Sequence, residues 1–231
     1  MKASTKLKSV SSKTSDSDGL VRKVEAVAIS KPNFQIIAVN IKGTAPYMQA
    51  RFSAKVMQGL MTKMEAGSTA QKGKKREARD FDSDFRDAQH ISTEGWNGIP
   101  ASAFRNACID ACRAVGFHMT KAKMSIFIEA DGLDAVDGTP LVKLQAGKPE
   151  KTEMIVRNAT GVVDVRVRPM WREWGATVTI RYDGDQFTAT DVINLMLRAG
   201  AQIGIGEGRP FSKDSNGLGY GIFEVPDGAH E

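Results

Sequence analysis

Residues 163–182 contain two segments whose side chains alternate in character. In the first, Val163, Val165 and Val167 alternate with Asp164, Arg166 and Arg168. In the second, Ala176, Val178, Ile180 and Tyr182 alternate with Thr177, Thr179 and Arg181. A period of two is that of a β-strand with one buried face, and a helix cannot satisfy it. The pattern puts the valines on a core face and Arg166, Arg168 and Arg181 together on the other. The intervening Pro169 to Gly175 reads as a hairpin connection between the two strands.

The other elements fall into order around this pair. Phe34 to Ile41 (FQIIAVNI) is apolar on both faces and reads as a central strand. Lys42 to Arg51 is a turn containing Gly43 and Pro46, and a helix over 53–65 follows, with Val56, Leu60 and Met64 on one face. Residues 80–92 are acidic and suit a short helix. A second clear helix spans 101–115, with Phe104, Ala107, Cys108, Ala111 and Val115 on one side. After Gly116 the pattern turns to strand, first at Ser125 to Glu129. Leu141 to Gln145 and Met154 to Arg157 read as an arm pair around the turn Gly147-Lys148-Pro149. Thr188 is placed to N-cap a third helix with Asp191 in its first turn, and Val192, Leu195, Met196 and Ala199 form its apolar side. Gly219 to Val225 is the last strand. This order implies an α+β fold with a mostly antiparallel sheet and helices on one face.

The charge is distributed unevenly. The chain has 231 residues, with 32 Lys and Arg against 27 Asp and Glu, a formal net charge of +5. Residues 1–32 are Ser- and Lys-rich without an apolar period, and read as a basic flexible tail or an arm for a phosphate backbone. Residues 227–231 are a short C-terminal tail. Residues 67–79 form a mobile basic loop with Lys72, Lys74, Lys75, Arg76 and Arg79 against Glu77 alone. The stretch Gly67 to Lys75 approaches a phosphate-binding P-loop, but the spacing is too long, no Ser or Thr follows the Lys, and a helix precedes it instead of a strand. No apolar run has the length of a membrane helix or signal peptide, so no membrane partner is expected. Cys108 and Cys112 lack a partner pair of ligands and read as packed thiols in a reducing cytoplasm.

Residues 204–221 hold Gly204, Gly206, Gly208, Gly217, Gly219 and Gly221. Glycine permits positive φ and close approach, and exposed amides in such a loop can hold an anion. A dinucleotide fold would need a strand before these glycines and a helix after them, whereas here the order is reversed. The order of parts resembles the RAMP superfamily of CRISPR systems, and most closely the backbone subunit that coats guide RNA in Cascade-type complexes. Three features carry the resemblance. Ile99-Pro-Ala-Ser-Ala-Phe-Arg-Asn-Ala107 is similar to the family's helix entry, with Ser102 near its serines and Arg105 at its basic position. Val165-Arg-Val-Arg-Pro169 precedes an aromatic segment and a strand. The third feature is the glycine loop Gly204 to Gly221 with Arg209. Together they span about 99–225. The family differs in having Gly where this chain has Ala101, and this chain is short for a full backbone subunit.

The resemblance implies a modified ferredoxin-like (RRM-like) core over 33–226 with an inserted β arm, or thumb, for which residues 139–161 are the candidate. It also implies oligomerisation along single-stranded RNA. Some relatives cleave RNA with an Asp in the loop after the first strand, but Thr44 to Ser53 contains none, and His90, His118 and His230 lie outside that loop. The expectation is therefore a non-catalytic protein, needing no cofactor or metal, that binds a single-stranded nucleic-acid backbone. RNA is the expected strand, with single-stranded DNA left open. Its partners would be copies of itself or other CRISPR-type subunits. Candidate contacts are Arg51, Lys72, Lys74, Lys75, Arg76, Ser102, Arg105, Arg166, Arg168, Arg181, Gly204, Gly206, Gly208, Arg209 and Lys213. Two alternatives stand beside it: an interaction protein that joins or inhibits such a ribonucleoprotein as a subunit mimic, and a metal-independent endoribonuclease.

Overall fold

The computed structural model describes residues 30–51, 54–65, 79–157, 163–211, 217–226 and 228. Its elements are β1 (Phe34–Gly43), β2 (Tyr47–Met48), α1 (Ala54–Glu65), α2 (Phe81–Asp87), β3 (Gly98–Pro100), α3 (Ala101–Ala114), α4 (Met119–Ser125), β4 (Ile126–Ile128), β5 (Gly132–Leu133), β6 (Pro140–Lys143), β7 (Gln145–Ala146), β8 (Glu150–Arg157), β9 (Val163–Trp171), β10 (Trp174–Asp183), α5 (Ala189–Arg198), a π turn (Ala199–Ile203) and β11 (Phe223–Glu224). The class is α+β, and the strand pairs are antiparallel.

The main sheet runs β11-β1-β10-β4, with β7 beside the start of β10. Val39 pairs with Val178, and Ile37 with Ile180. These side chains face α3 and α5 in one core with Phe104, Cys108, Val192, Leu195 and Met196. The Cys108 thiol lies 3.3 Å from the Met196 sulfur, so the two helices touch over the sheet. Phe104 is fully buried and meets Phe223 edge-on at 6.1 Å, a burial worth about 2–3 kcal/mol. α5 begins with a complete capping box. The Thr188 hydroxyl accepts from the Asp191 amide, and the Asp191 carboxylate accepts from the Thr188 amide.

The structure corrects several expectations about the strands. β1 is central, but only Ile37, Val39 and Ile41 are buried, and Ile36 on the opposite side is 65% exposed. Although β9 and β10 follow one another, they do not pair. β9 lies between β2 and β8 in a separate three-stranded sheet. Trp171 and Trp174, on either side of Arg172 and Glu173, both pack on Tyr47, at 5.8 and 5.2 Å between ring centroids. Burying both indoles against one ring carries the chain from one sheet to the other. The two tryptophans are core, with their ring N–H groups donating to the Gly147 and Ala45 carbonyls at 3.1 and 2.8 Å. The arm is also built differently. β6 pairs with β3 and β5, and the long hairpin is β8 with β9, not the 141–145 and 154–157 segments. On this hairpin Val163 and Val165, expected on a core face, are exposed, and Ile155 is 79% exposed.

Candidate nucleic-acid interface

A cleft of about 370 Å³ lies among β9, α2, the residues after β2 and the glycine loop. Arg51, Arg79, Arg166 and Arg168 line it, together with Asp84, Asp87, Asp164 and Glu207. The pleat of β9 sends residues 164, 166 and 168 into the cleft, while Val167 points away and is buried. α2 supplies the two aspartates. Its N-cap is Asp80, whose carboxylate accepts from the Asp82 and Ser83 amides at 3.0 and 3.1 Å. The glycine loop supplies Glu207, whose amide donates to the Met48 carbonyl at 3.0 Å.

These four guanidinium groups face four carboxylates, so the cleft is charge-balanced and not a bare basic surface. Arg168 Nε lies 2.6 Å from Glu207 Oε2, and Arg166 Nη1 lies 3.6 Å from Glu207 Oε1. Arg79 holds Asp164 at 2.7 Å and Asp84 at 3.1 Å. The Arg51 side chain is almost buried, with Nε 3.6 Å from Asp134 and 3.5 Å from Asp137.

The expectation that Arg166, Arg168 and Arg181 share one sheet face is overturned, because β9 and β10 belong to different sheets. Arg181 lies on the open face of the main sheet, with its guanidinium 4.9 Å from the Phe34 ring and 4.7 Å from the Phe127 ring. Its Nε donates to Glu129 at 2.6 Å. Arg105 is apart from the cleft as well. It donates to the Ile126 and Lys123 carbonyls at 3.0 and 2.5 Å and so ties α3 to the α4–β4 junction. Ser102 is exposed in the first turn of α3. Lys72, Lys74, Lys75, Arg76 and Lys213 lie outside the described residues, as do residues 1–29.

The glycine loop has the conformation its composition implies: Gly204, Gly206, Gly208, Gly217, Gly219 and Gly221 all have positive φ. The expected anion nest is partly spent on the fold. The amides of Gly204, Ile205 and Glu207 donate to Ala199, Gly221 and Met48. A side chain at Gly206 would lie 2.5 Å from the Met48 carbonyl and 2.7 Å from the Tyr47 ring. Arg209 Nη1 donates to the Gly206 carbonyl at 3.0 Å and stitches the loop to itself.

Sequence reasoning missed Arg79 and Glu207 as cleft residues, and it missed a polar cluster behind Arg51. Asp134 is buried, with one oxygen accepting from the Val136 amide at 2.8 Å and the other 2.8 Å from His90 Nδ1. Gln49, also buried, accepts from the His90 amide and donates to Gly98 O at 2.6 Å. Burial works against the Asp137 charge, but hydrogen bonds from Thr139 and the nearby Arg51 and His90 outweigh it and hold the carboxyl below the usual carboxylate range. His90, Asp134 and Asp137 are close enough to share a cation, and the cation beside both carboxylates is the Arg51 guanidinium. The Arg51 ion pairs tie the segment after β2 to the turn between β5 and β6, and the His90–Asp134 contact ties the segment after α2 to the same turn. Both thiols are free and buried in the core, and burial raises Cys108 to about 12 and Cys112 to about 11.

No family model matches the chain, and no curated protein matches it. No helix among the described residues is long and apolar enough to cross a membrane.

Proposed function

We propose that this protein binds a single-stranded nucleic acid, with RNA as the expected strand, along its sugar–phosphate backbone without cleaving it. It would act in the manner of the RAMP-type backbone subunits that it resembles. The observation that carries the reading is the convergence of Arg166 and Arg168 with Arg51 and Arg79 on one cleft. Paired guanidinium groups at strand spacing suit successive phosphate oxygens. The strand order supports the modified ferredoxin-like core. β1–α3–β4 and β10–α5–β11 are two crossovers, each split by a strand of the other, giving β11-β1-β10-β4. In this reading the β8–β9 hairpin is the thumb, and successive copies line up along the strand in the cytoplasm.

A second reading, the subunit mimic that docks on a ribonucleoprotein, is favoured by the exposed apolar residues Ile155, Val163 and Val165 on the hairpin and Met61 and Met64 on α1. One preparation separates the two readings. The protein is purified without nuclease, and its mass and bound nucleotide content are measured, alone and with RNAs of increasing length. Mass that steps up with RNA length is expected. Nucleotide-free protein that stays at one mass with every RNA would refute the first reading.

A further inference from the structure

We propose that Glu207 is a built-in competitor for the phosphate strand, an in-chain carboxylate that occupies the place of a phosphodiester between Arg166 and Arg168. The inference rests on the reading of this cleft as a strand-binding site.

Glu207 bridges the two arginines, one oxygen to each, at 2.6 and 3.6 Å. The arginines stand two apart on one strand and so present adjacent forks on the same side. An Arg fork takes a carboxylate and a phosphate by the same paired N–H geometry. Glu207 comes from a different element, and its backbone is fixed. The amide is bonded to Met48, and Gly206 packs against Met48 and Tyr47. The side chain lines the cleft and is 17% exposed. Rotation of the Glu207 side chain, with no movement of the loop, therefore takes the shared carboxylate off both arginines, while Asp164 stays 4.0 Å from Arg166 Nε.

The competition sets what the cleft accepts. A lone phosphate exchanges one anion for another and gains little. A strand adds further phosphate contacts along the chain once the first has displaced Glu207. The cleft therefore discriminates a continuous polyanion from a mononucleotide.

The test compares the wild-type protein, Glu207→Gln and the exposed control Glu224→Gln. Two probes are used, a labelled single-stranded RNA and inorganic pyrophosphate, the latter followed by thermal shift. Glu207→Gln is expected to bind the RNA about tenfold more tightly, with Glu224→Gln close to wild type. Pyrophosphate should raise the melting temperature of Glu207→Gln and leave the wild type unmoved. If wild type binds the RNA and Glu207→Gln binds no more tightly, or the control gains as much, the competitor is refuted while strand binding stands. If no variant binds RNA but pyrophosphate selectively stabilises Glu207→Gln, Glu207 still holds the arginines against phosphate, while strand binding, and with it competition against a strand, falls. If neither probe distinguishes Glu207→Gln from wild type and no RNA binds, both fall.

Discussion

Gly219 and Gly221 form a matched pair that measures what fixes the glycine loop. Both have positive φ, +78° and +67°. A β-carbon at Gly219 meets nothing within 4 Å, whereas one at Gly221 would land on the Ile205 carbonyl oxygen. Gly219→Ala therefore carries only the backbone penalty, about 1–2 kcal/mol. At about 2–4 °C per kcal/mol for a chain of this size, its melting temperature should fall by about 2–8 °C. Gly221→Ala carries the same penalty and must also separate residue 221 from Ile205. Those two share the Ile205 amide to Gly221 carbonyl bond at 3.0 Å, Gly221 donates to Pro46 O at 2.8 Å, and the Ile205 side chain is buried. Losing one such bond costs about 1 kcal/mol, and forcing the packed backbone apart adds about 1–3 kcal/mol. The total is about 3–6 kcal/mol, a fall of about 6–24 °C. Parallel thermal melts by circular dichroism read the difference. If Gly221→Ala melts at the same temperature as Gly219→Ala, the close approach has no energetic weight, and the fixed loop backbone assumed for Glu207 is wrong.

Further outcomes follow from the core and the caps. Thr188→Ala should cost about 1 kcal/mol through the lost cap, a fall of about 2–4 °C. The Thr188 side-chain hydrogen bond, and then its backbone hydrogen bond, hold the Asp191 carboxyl below its ordinary value. That contribution is present above about pH 4 and is lost as pH falls through the folded value, so the deficit of Thr188→Ala should shrink on acidification below the ordinary carboxylate range; a deficit that stays constant through acid titration of the carboxylates would refute the link. Phe104→Ala should cost about 3–5 kcal/mol in urea unfolding, and a cost under about 1 kcal/mol would contradict its full burial. With the Cys108 thiol raised to about 12 and that of Cys112 to about 11 by burial, neither should react with a thiol reagent at neutral pH until the protein is denatured. Rapid labelling of the native protein would show that the helix pair opens.

The parts legible from sequence were those whose pattern is local. The 3.6 period of Phe104, Ala107, Cys108 and Ala111 located α3, and Thr188 with Asp191 located the start of α5. The alternation from Ala176 to Tyr182 gave β10 with its buried side correct. What was misread depends on distant partners. β9 alternates as well as β10 does, but period two does not say which strand lies alongside, and the two tryptophans that redirect the chain read as an ordinary connection. Met119–Ser125 has no apolar repeat, and His118 makes no side-chain cap, so α4 left no local mark. The arginines were visible, but their ion pairs were not: Glu207 lies 39 residues from Arg168, and Glu129 lies 52 from Arg181. No spacing rule links such pairs, and they turn a set of cations into one balanced cleft and one separate stacked guanidinium.

The most direct test of the central claim is the salt dependence of binding to a labelled single-stranded RNA, for the wild-type protein and for Arg166→Ala/Arg168→Ala. A single strand contributes about 0.7 to the slope of log K against log salt for each phosphate neutralised. If these two arginines grip the backbone, the double variant should bind more weakly with a slope shallower by about 1.4. An unchanged slope, or no binding by the wild-type protein even at low salt, would contradict the account.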